Sequence, residues 1–182
     1  MKTATLELRA LKRSDYKAWK KAKISQLPAQ SRWDRSNTEL KNLTRSKFVE
    51  MLKRYRKNSK ADISYVYGVF YGDVLVGSVS MMVSRGITQT AIIGYTIYNN
   101  HWGKGYGTEA LERLLEITFK EKNLHRAVAG IEPGNRRSVR LVRKFGFRRE
   151  GVSKRALLDQ GKWIDLIQYA LTSEEYGVIW QG

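Results

Sequence analysis

Along the 182-residue chain the spacing of hydrophobic and polar positions changes period several times, and each change predicts an element. Thr3-Ala4-Thr5-Leu6-Glu7-Leu8-Arg9-Ala10 alternates and predicts a strand. Ser14 then stands as the N-cap of a helix reaching about Ser25, with Tyr16, Trp19 and Ala22 on one stripe and Lys17, Lys20, Lys21 and Lys23 mostly elsewhere. Gln26 to Leu43 is polar, carries Pro28, Trp33 and Arg35, and has no clean period, which predicts a long loop; loops of that length are usually functional or disordered. Thr44 caps a second helix to about Asn58, whose stripe of Phe48, Met51, Leu52 and Tyr55 is core.

From Ile63 the period becomes two. Ser64 to Tyr71 predicts a strand, Gly72-Asp73 a turn, Val74 to Val83 a second strand, and about Gln89 to Tyr98 a third. A helix follows from about Gly105 to Lys122, with Ala110, Leu111, Leu114, Leu115 and Thr118 inward. His125 to Ile131 is a short strand after that helix, and a strand–helix–strand unit implies a parallel pair. Pro133-Gly134 breaks the pattern and Asn135 caps a helix buried through Val139, Val142 and Phe145. Gly146 ends it, and strands over about Phe147–Leu158 and Lys162–Leu171 meet at Asp159-Gln160-Gly161. The expected order is β-αα-βββ-αβ-αββ, in one α/β (α+β) domain over residues 1–182. Its centre is a mixed, mostly antiparallel, twisted sheet of about seven strands flanked by helices. No repeat, low-complexity tract or linker interrupts it.

Composition narrows the chemistry. With 34 Lys and Arg against 17 Asp and Glu, a formal charge of +17, attraction to polyanions is expected: RNA, a phosphorylated cofactor or an acidic surface. A solvated basic exterior would carry the same charge. Cysteine is absent, which removes disulfides, thiol nucleophiles and thiolate metal sites. His101 and His125 are the only histidines, so no metal site is expected. No apolar run approaches the roughly 20 residues needed to span a bilayer, and the first residues lack a signal-peptide core, so a soluble cytoplasmic protein without membrane contact is expected.

One stretch carries a specific chemistry. The predicted strand Ala91-Ile92-Ile93-Gly94-Tyr95-Thr96-Ile97-Tyr98 runs into His101-Trp102-Gly103-Lys104-Gly105-Tyr106-Gly107-Thr108-Glu109 and then a helix. The first turn of a helix has N–H groups without intrahelical partners and a partial positive charge, and glycines let a phosphate approach the backbone. The spacing is neither the dinucleotide fingerprint nor a P-loop. It resembles the acyl-CoA loop of the GCN5-related N-acetyltransferases (GNAT), Arg/Gln-x-x-Gly-x-Gly/Ala, with Trp102 at the Arg/Gln position and Gly105 and Gly107 at the small positions. The wording Trp-Gly-Lys-Gly-Tyr-Gly-Thr-Glu-Ala looks most like the branch that acetylates the N-termini of ribosomal proteins. A second stretch, Asn135-Arg136-Arg137-Ser138-Val139-Arg140-Leu141-Val142-Arg143-Lys144-Phe145-Gly146-Phe147 with Glu150-Gly151, resembles the family's Asn-x-x-Ala/Ser pattern ending in Gly-Phe-x-x-Glu-Gly. The order read from periodicity is also the family's order, over Leu6 to Leu171.

The resemblance implies acetyl-CoA as cofactor and a primary amine as acceptor, attacking the thioester directly. The cofactor-binding residues would be Tyr95, Thr96 and Ile97 on the strand, Trp102, Gly103, Lys104, Gly105, Tyr106, Gly107 and Thr108 in the loop, and Asn135, Arg136, Arg137 and Ser138. Backbone N–H groups near Tyr95 and Thr96 would stabilise the oxyanion, and Lys104, Arg136 and Arg137 would meet phosphates. The family tyrosine that protonates the leaving thiolate falls on Val142, which has no proton to give. Ser138, one turn back on the same face, is the substitute the ribosomal-protein branch implies, or else a capping hydroxyl. Asn135 is a catalytic-site candidate and equally a favoured N-cap.

The acidic positions that supply a base in relatives fall on Ile92 and Leu157, leaving Glu150, Asp159, Asp165, Glu109 or a water chain. Asp165 and Trp33 are the substrate-binding candidates; Asp165 could instead bond its neighbouring loop, and Trp33 could instead plug the core. The acceptor is expected to be a protein N-terminus, with a small amine (aminoglycoside, polyamine or amino acid) and a catalytically silent acyl-CoA- or RNA-binding module as rivals. Arg140, Arg143, Lys144, Arg148, Arg149, Lys154 and Arg155 form a basic face that could meet ribosomal RNA or an acidic protein, and both a monomer and a homodimer remain open.

Overall fold

A computed structural model describes residues 6–34 and 42–182. Seven strands and four helices follow one another as β1 (Glu7–Arg9), α1 (Tyr16–Ile24), α2 (Arg45–Lys60), β2 (Ser64–Tyr71), β3 (Val74–Ser84), β4 (Thr90–Ile97), α3 (Tyr106–Glu116), β5 (Arg126–Ile131), α4 (Arg136–Lys144), β6 (Arg148–Asp159) and β7 (Lys162–Thr172). This is the order that the periodicity predicts. The strands hydrogen-bond as β1-β2-β3-β4-β5-β7-β6, with β4 and β5 parallel and β1–β2, β5–β7 and β6–β7 antiparallel. The chain divides into two compact units, Met1–Met81 with Tyr95–Leu114, and Met82–Gly94 with Leu115–Gly182.

In the first unit the apolar stripes of α1 and α2 close on each other. Trp19, Ala22, Leu43, Phe48, Phe70, Leu75 and Tyr98 form one buried cluster, with the Trp19 and Phe48 rings 4.9 Å apart. Tyr16 packs on it and donates its phenolic hydroxyl to the Leu43 carbonyl at 2.9 Å, so a half-buried polar group is satisfied. Gly77 on β3 has no room for a side chain: a Cβ there would collide with the Thr96 carbonyl oxygen of β4.

The start of α1 differs from the expectation. A 3-10 turn over Arg13–Asp15 precedes the helix, and the cap is Asp15 rather than Ser14. The Asp15 carboxylate accepts from the Lys12 amide at 2.7 Å and from both ends of the Arg9 guanidinium at 2.7 and 3.0 Å. Arg9 holds that carboxyl below the usual range. Thr44 does cap α2, accepting from the Lys47 amide. Of the loop expected over Gln26 to Leu43, residues 35–41 lie outside the described residues, as do Thr3–Thr5 of the first predicted strand.

In the second unit β5 is hydrogen-bonded on both edges, and its inward Ala127, Ala129 and Ile131 are buried with Val142, Phe147, Tyr169, Ala170 and Leu171. The β6–β7 turn has Gln160 and Gly161 at φ 47° and 78°, the paired positive values of a two-residue hairpin turn. Between Ser153 and Leu157 β6 bulges, and Asp165 of β7 closes the bulge by accepting from the Arg155 amide at 2.9 Å and Lys154 Nζ at 2.8 Å. The helix expected to run to Lys122 widens after Glu116 into a π-turn over Ile117–Glu121. Ile117, Thr118 and Phe119 are all buried, and three successive residues cannot share the inward stripe of a regular α-helix.

Candidate active site

The glycine-rich stretch lies wholly in the first unit. After β4 a 3-10 turn over Asn99–His101 carries the chain to Trp102, whose indole N–H donates to the Ile97 carbonyl at 2.7 Å. That bond braces the loop back on the strand it leaves, so Trp102 holds the loop with its ring edge. Gly103 and Gly105 both sit at φ 80°, with Lys104 between them on the negative side. A Cβ on either glycine would meet nothing within 4 Å, so their role is conformational: alternating signs of φ aim successive N–H groups into one concavity, an anion-binding arrangement.

At its end Thr108 and Glu109 return their amides to the Gly105 carbonyl at 2.9 and 3.3 Å, opening α3. Among the described residues, none of the five amides from Gly103 to Gly107 donates to a protein acceptor. Eleven residues of α3 behind them add the partial positive charge of a helix start. The Tyr106 ring lies 5.4 Å from Tyr71 and 6.5 Å from His101. Desolvation, and then Lys104, push the His101 pKa down, so its imidazole is neutral at neutral pH.

Sequence reasoning passed over Asn99, which is buried to 5% exposure. Its Oδ1 accepts from the Leu27 amide at 2.7 Å, and its Nδ2 donates to the Leu27 carbonyl at 2.7 Å, the Pro28 carbonyl at 3.3 Å and Asp34 Oδ2 at 3.0 Å. One side chain at the end of β4 therefore ties down both ends of the segment 27–34. Nothing local in the sequence marks this residue, because its partners lie 65 to 72 positions away. Trp33 sits within that segment, half-buried, with Arg32 over its ring and its indole N–H buried without a partner among the described residues.

The second matching stretch lies in the other unit. Asn135 caps α4, accepting from the Ser138 amide at 3.2 Å, and Gly146 at φ 86° ends it. Ser138 and Val139 are half-buried, Val142 is fully buried, and Arg136, Arg137, Arg140, Arg143 and Lys144 are exposed. The position where relatives carry tyrosine thus faces the core, and an apolar residue suits it.

Each candidate base is already engaged. Glu109 accepts from the Leu6 amide at 2.5 Å. Glu150 is paired with Arg126 and Arg148, and Arg126 in first place holds its carboxyl below the usual range. Lys154, then the Arg155 amide, do the same for Asp165. Asp159 has a partner too. Ile92 and Leu157 offer no proton acceptor. Among the described residues no group of three or more His, Asp or Glu could hold a metal ion, and no helix is long and apolar enough to cross a membrane.

Comparison with known proteins adds four findings. The family model of the acetyltransferase (GNAT) domain matches residues 5–148. The chain is 38% identical over 117 residues to the "Probable N-acetyltransferase YjcK" of Bacillus subtilis (strain 168), covering 63% of this chain and 65% of that one. It is 31% identical over 129 residues to the ribosomal protein uS5-alanine N-acetyltransferase of Escherichia coli (strain K12), covering 69% and 65%. The match thus spans just under two thirds of the length of these two relatives. Mycobacterium smegmatis RimJ in complex with CoA-disulfide superposes with a TM-score of 0.80 at 24% identity, over 95% of this chain and 85% of that one, and shares its fold.

Proposed function

Because the chain belongs to the GNAT acetyltransferase family, we propose that it is an acetyl-CoA-dependent N-acetyltransferase whose acceptor is a protein N-terminal α-amine. The observation that carries this reading is the run of five unpartnered amides, Gly103 to Gly107, on alternating φ at the start of α3. Such a donor set suits a pyrophosphate and little else of similar size: the ligand brings acceptors only, and the loop brings donors only.

Acetyl-CoA, when bound, supplies the acetyl group already activated as a thioester. The chain's part is to hold, orient and move protons. Gly103 to Gly107 would hold the pyrophosphate, with Thr108 at the helix start and the Lys104 side chain adding charge; Arg136 and Arg137 are the phosphate-binding candidates of the second unit. The backbone of Tyr95, Thr96 and Ile97 pairs with the pantetheine amides as an added strand would. The β4–β5 ladder supports this: it ends at Ile92↔Val128, while β5 goes on pairing with β7 to Ile131. N–H groups near Tyr95 and Thr96 stabilise the developing oxyanion, a contribution of about 3 kcal/mol per donor in such sites. Ser138 would give its proton to the departing thiolate and be reprotonated by the proton that the amine nitrogen sheds as the amide forms, and Asn135, by capping α4, fixes the turn that carries Ser138. Trp33 lines the acceptor side, and Asp165 serves it indirectly by holding the β6 bulge.

An α-amine titrates near pH 8 and is partly deprotonated without help, which fits a chain whose candidate bases Glu109, Glu150, Asp159 and Asp165 are all engaged. The likeness to a ribosomal protein alanine N-acetyltransferase supports a peptide acceptor, and a charge of +17 opposes a polycationic one. Incubation with acetyl-CoA and a panel of N-terminal peptides and spermidine, read by mass spectrometry, tests this. Acetylated peptide N-termini are expected; acetylation of spermidine alone would overturn the acceptor, and no product with measurable acetyl-CoA binding would overturn the activity.

A further inference from the structure

Helix α4 carries more positive charge than the proposed reaction uses. Five of its nine residues are cationic, none is acidic, and all five are exposed. Arg136 and Arg137 belong to the cofactor reading; Arg140, Arg143 and Lys144 do not. Among the described residues these three side chains make no ion pair or hydrogen bond. Arg140 has like charges one turn away on both sides, at Arg136, Arg137, Arg143 and Lys144, and each such neighbour is destabilising. Arg136 and Arg137 also stand in the first turn, where the macrodipole disfavours cations. Glu150, the first acid after the helix, is paired with Arg126 and Arg148.

The other basic helix behaves differently. In α2, Glu50 sits one turn from Lys47, Lys53 and Arg54, while Arg45 lies over the Tyr16 ring and Arg54 over Tyr55. Its cations from Arg45 to Arg54 are partly neutralised or packed, as on an ordinary solvated face, while Arg56, Lys57 and Lys60 beyond them are exposed. Those at the end of α4 are neither neutralised nor packed.

We propose that the face of α4 formed by Arg140, Arg143 and Lys144 binds the phosphate backbone of RNA. The chemistry favours RNA over an acidic protein. The core of a protein interface is apolar and depleted of charge, and no large hydrophobic residue of α4 is exposed. A nucleic-acid backbone needs only phosphate contacts, which guanidinium groups make in bidentate fashion. The choice of RNA over DNA rests on the acceptor reading above together with the likeness to a ribosomal protein alanine N-acetyltransferase, whose acceptor is destined for RNA.

The test uses the full chain and a labelled single-stranded oligouridylate across a salt series, with no acetyl-CoA or acceptor present. Failure of acetyl transfer and failure of RNA binding are therefore read separately. Two triple variants with the same loss of charge are compared: Arg140→Gln/Arg143→Gln/Lys144→Gln on α4, and Lys53→Gln/Arg56→Gln/Lys57→Gln on α2. The α4 variant is expected to bind at least about tenfold more weakly and to reduce the slope of log Kobs against log salt by about 2, at roughly 0.7 per lost phosphate contact. The α2 variant should keep most of both. A thermal melt at or above the wild-type midpoint is expected for the α4 variant, since like charges are removed, and shows that it folds. Equal losses in the two variants would reduce the effect to net charge and overturn the proposal. So would tighter binding of duplex DNA or oligoglutamate than of oligouridylate, or an equal loss of acetyl-CoA affinity in the α4 variant.

Discussion

The glycine loop and the acidic side chains were both candidates for chemistry, and the fold leaves them in opposite conditions. Among the described residues, five successive amides from Gly103 to Gly107 have no protein acceptor, whereas Glu109, Glu150 and Asp165 are each bonded to a donor or a cation. The difference follows from composition and geometry together. With 34 cations for 17 acids, a carboxylate at the surface finds a partner. Amides set on alternating φ at a helix start point away from the carbonyls of their own turn, and among the described residues none of these is bonded to an acceptor. The loop is therefore prepared for an anionic ligand, while the carboxylates are committed to holding the fold together. Chemistry built on such a scaffold depends on placed donors more than on a strong protein base.

The largest effect should come from breaking the loop. Gly105→Val puts a β-branched residue at φ 80°, where an L residue is strained by about 1–2 kcal/mol, and places its methyls on the open side the phosphates need. Calorimetry should show acetyl-CoA affinity down by at least about 100-fold, some 2.7 kcal/mol. An unchanged affinity would mean that the amides face no ligand. Next is Ser138→Ala. If the hydroxyl delivers a proton, kcat falls by about 100-fold, the low end for general acid catalysis, while acetyl-CoA affinity barely moves. Equal kcat in a steady-state assay would leave Ser138 with a structural role alone.

The regions that were legible in the sequence are those whose cause is local. Ser64–Tyr71 alternates and is a strand with those same bounds. Asn135 and Gly146 bracket α4 because capping and the left-handed exit are decided within three residues. What escaped was decided at a distance. Ser14 falls inside a 3-10 turn that Arg9, on the preceding strand, helps to fix through the Asp15 carboxylate, so α1 starts one residue later and Asp15 stands at its cap position without a side-chain capping bond. Widening of the helix at Ile117 reflects three consecutive residues that the core accepts. The Asp165 bonds depend on a bulge in the opposite strand that no spacing announced. Asn99 is the clearest case, an ordinary polar residue until the segment 27–34 is folded onto it.

Asn99 also sharpens the comparison, because it is a committed group beside the uncommitted loop. Asn99→Ala leaves the Leu27 amide and the Leu27 carbonyl without their partner in a largely buried place, and Asp34 with the Gln30 amide alone. A stability loss of about 2 kcal/mol is expected in urea unfolding. Acetyl-CoA affinity should change far less than with Gly105→Val, since Trp102 still braces the loop on Ile97. A variant as stable as the wild type would show that the segment 27–34 is held by something else.

The smallest effect on turnover should come from Glu150→Gln, and its smallness is what matters. Glu150 is held between Arg126 and Arg148, and its carboxyl lies below its ordinary value. A group with a depressed folded pKa adds stability that is present above the unfolded carboxylate pKa and is lost as pH falls through the folded one. Removing the charge should therefore soften the protein near neutrality and flatten the loss of stability on acidification, read as a smaller change in melting temperature between neutral and acid pH. Turnover should change by less than about threefold, and the pH–rate profile should keep a single rising limb set by the acceptor amine, near pH 8. A drop of two decades in kcat, or loss of a limb in the carboxylate range, would make Glu150 the base after all. The contrast between open amides and engaged carboxylates would then fail at the residue where it is drawn most sharply.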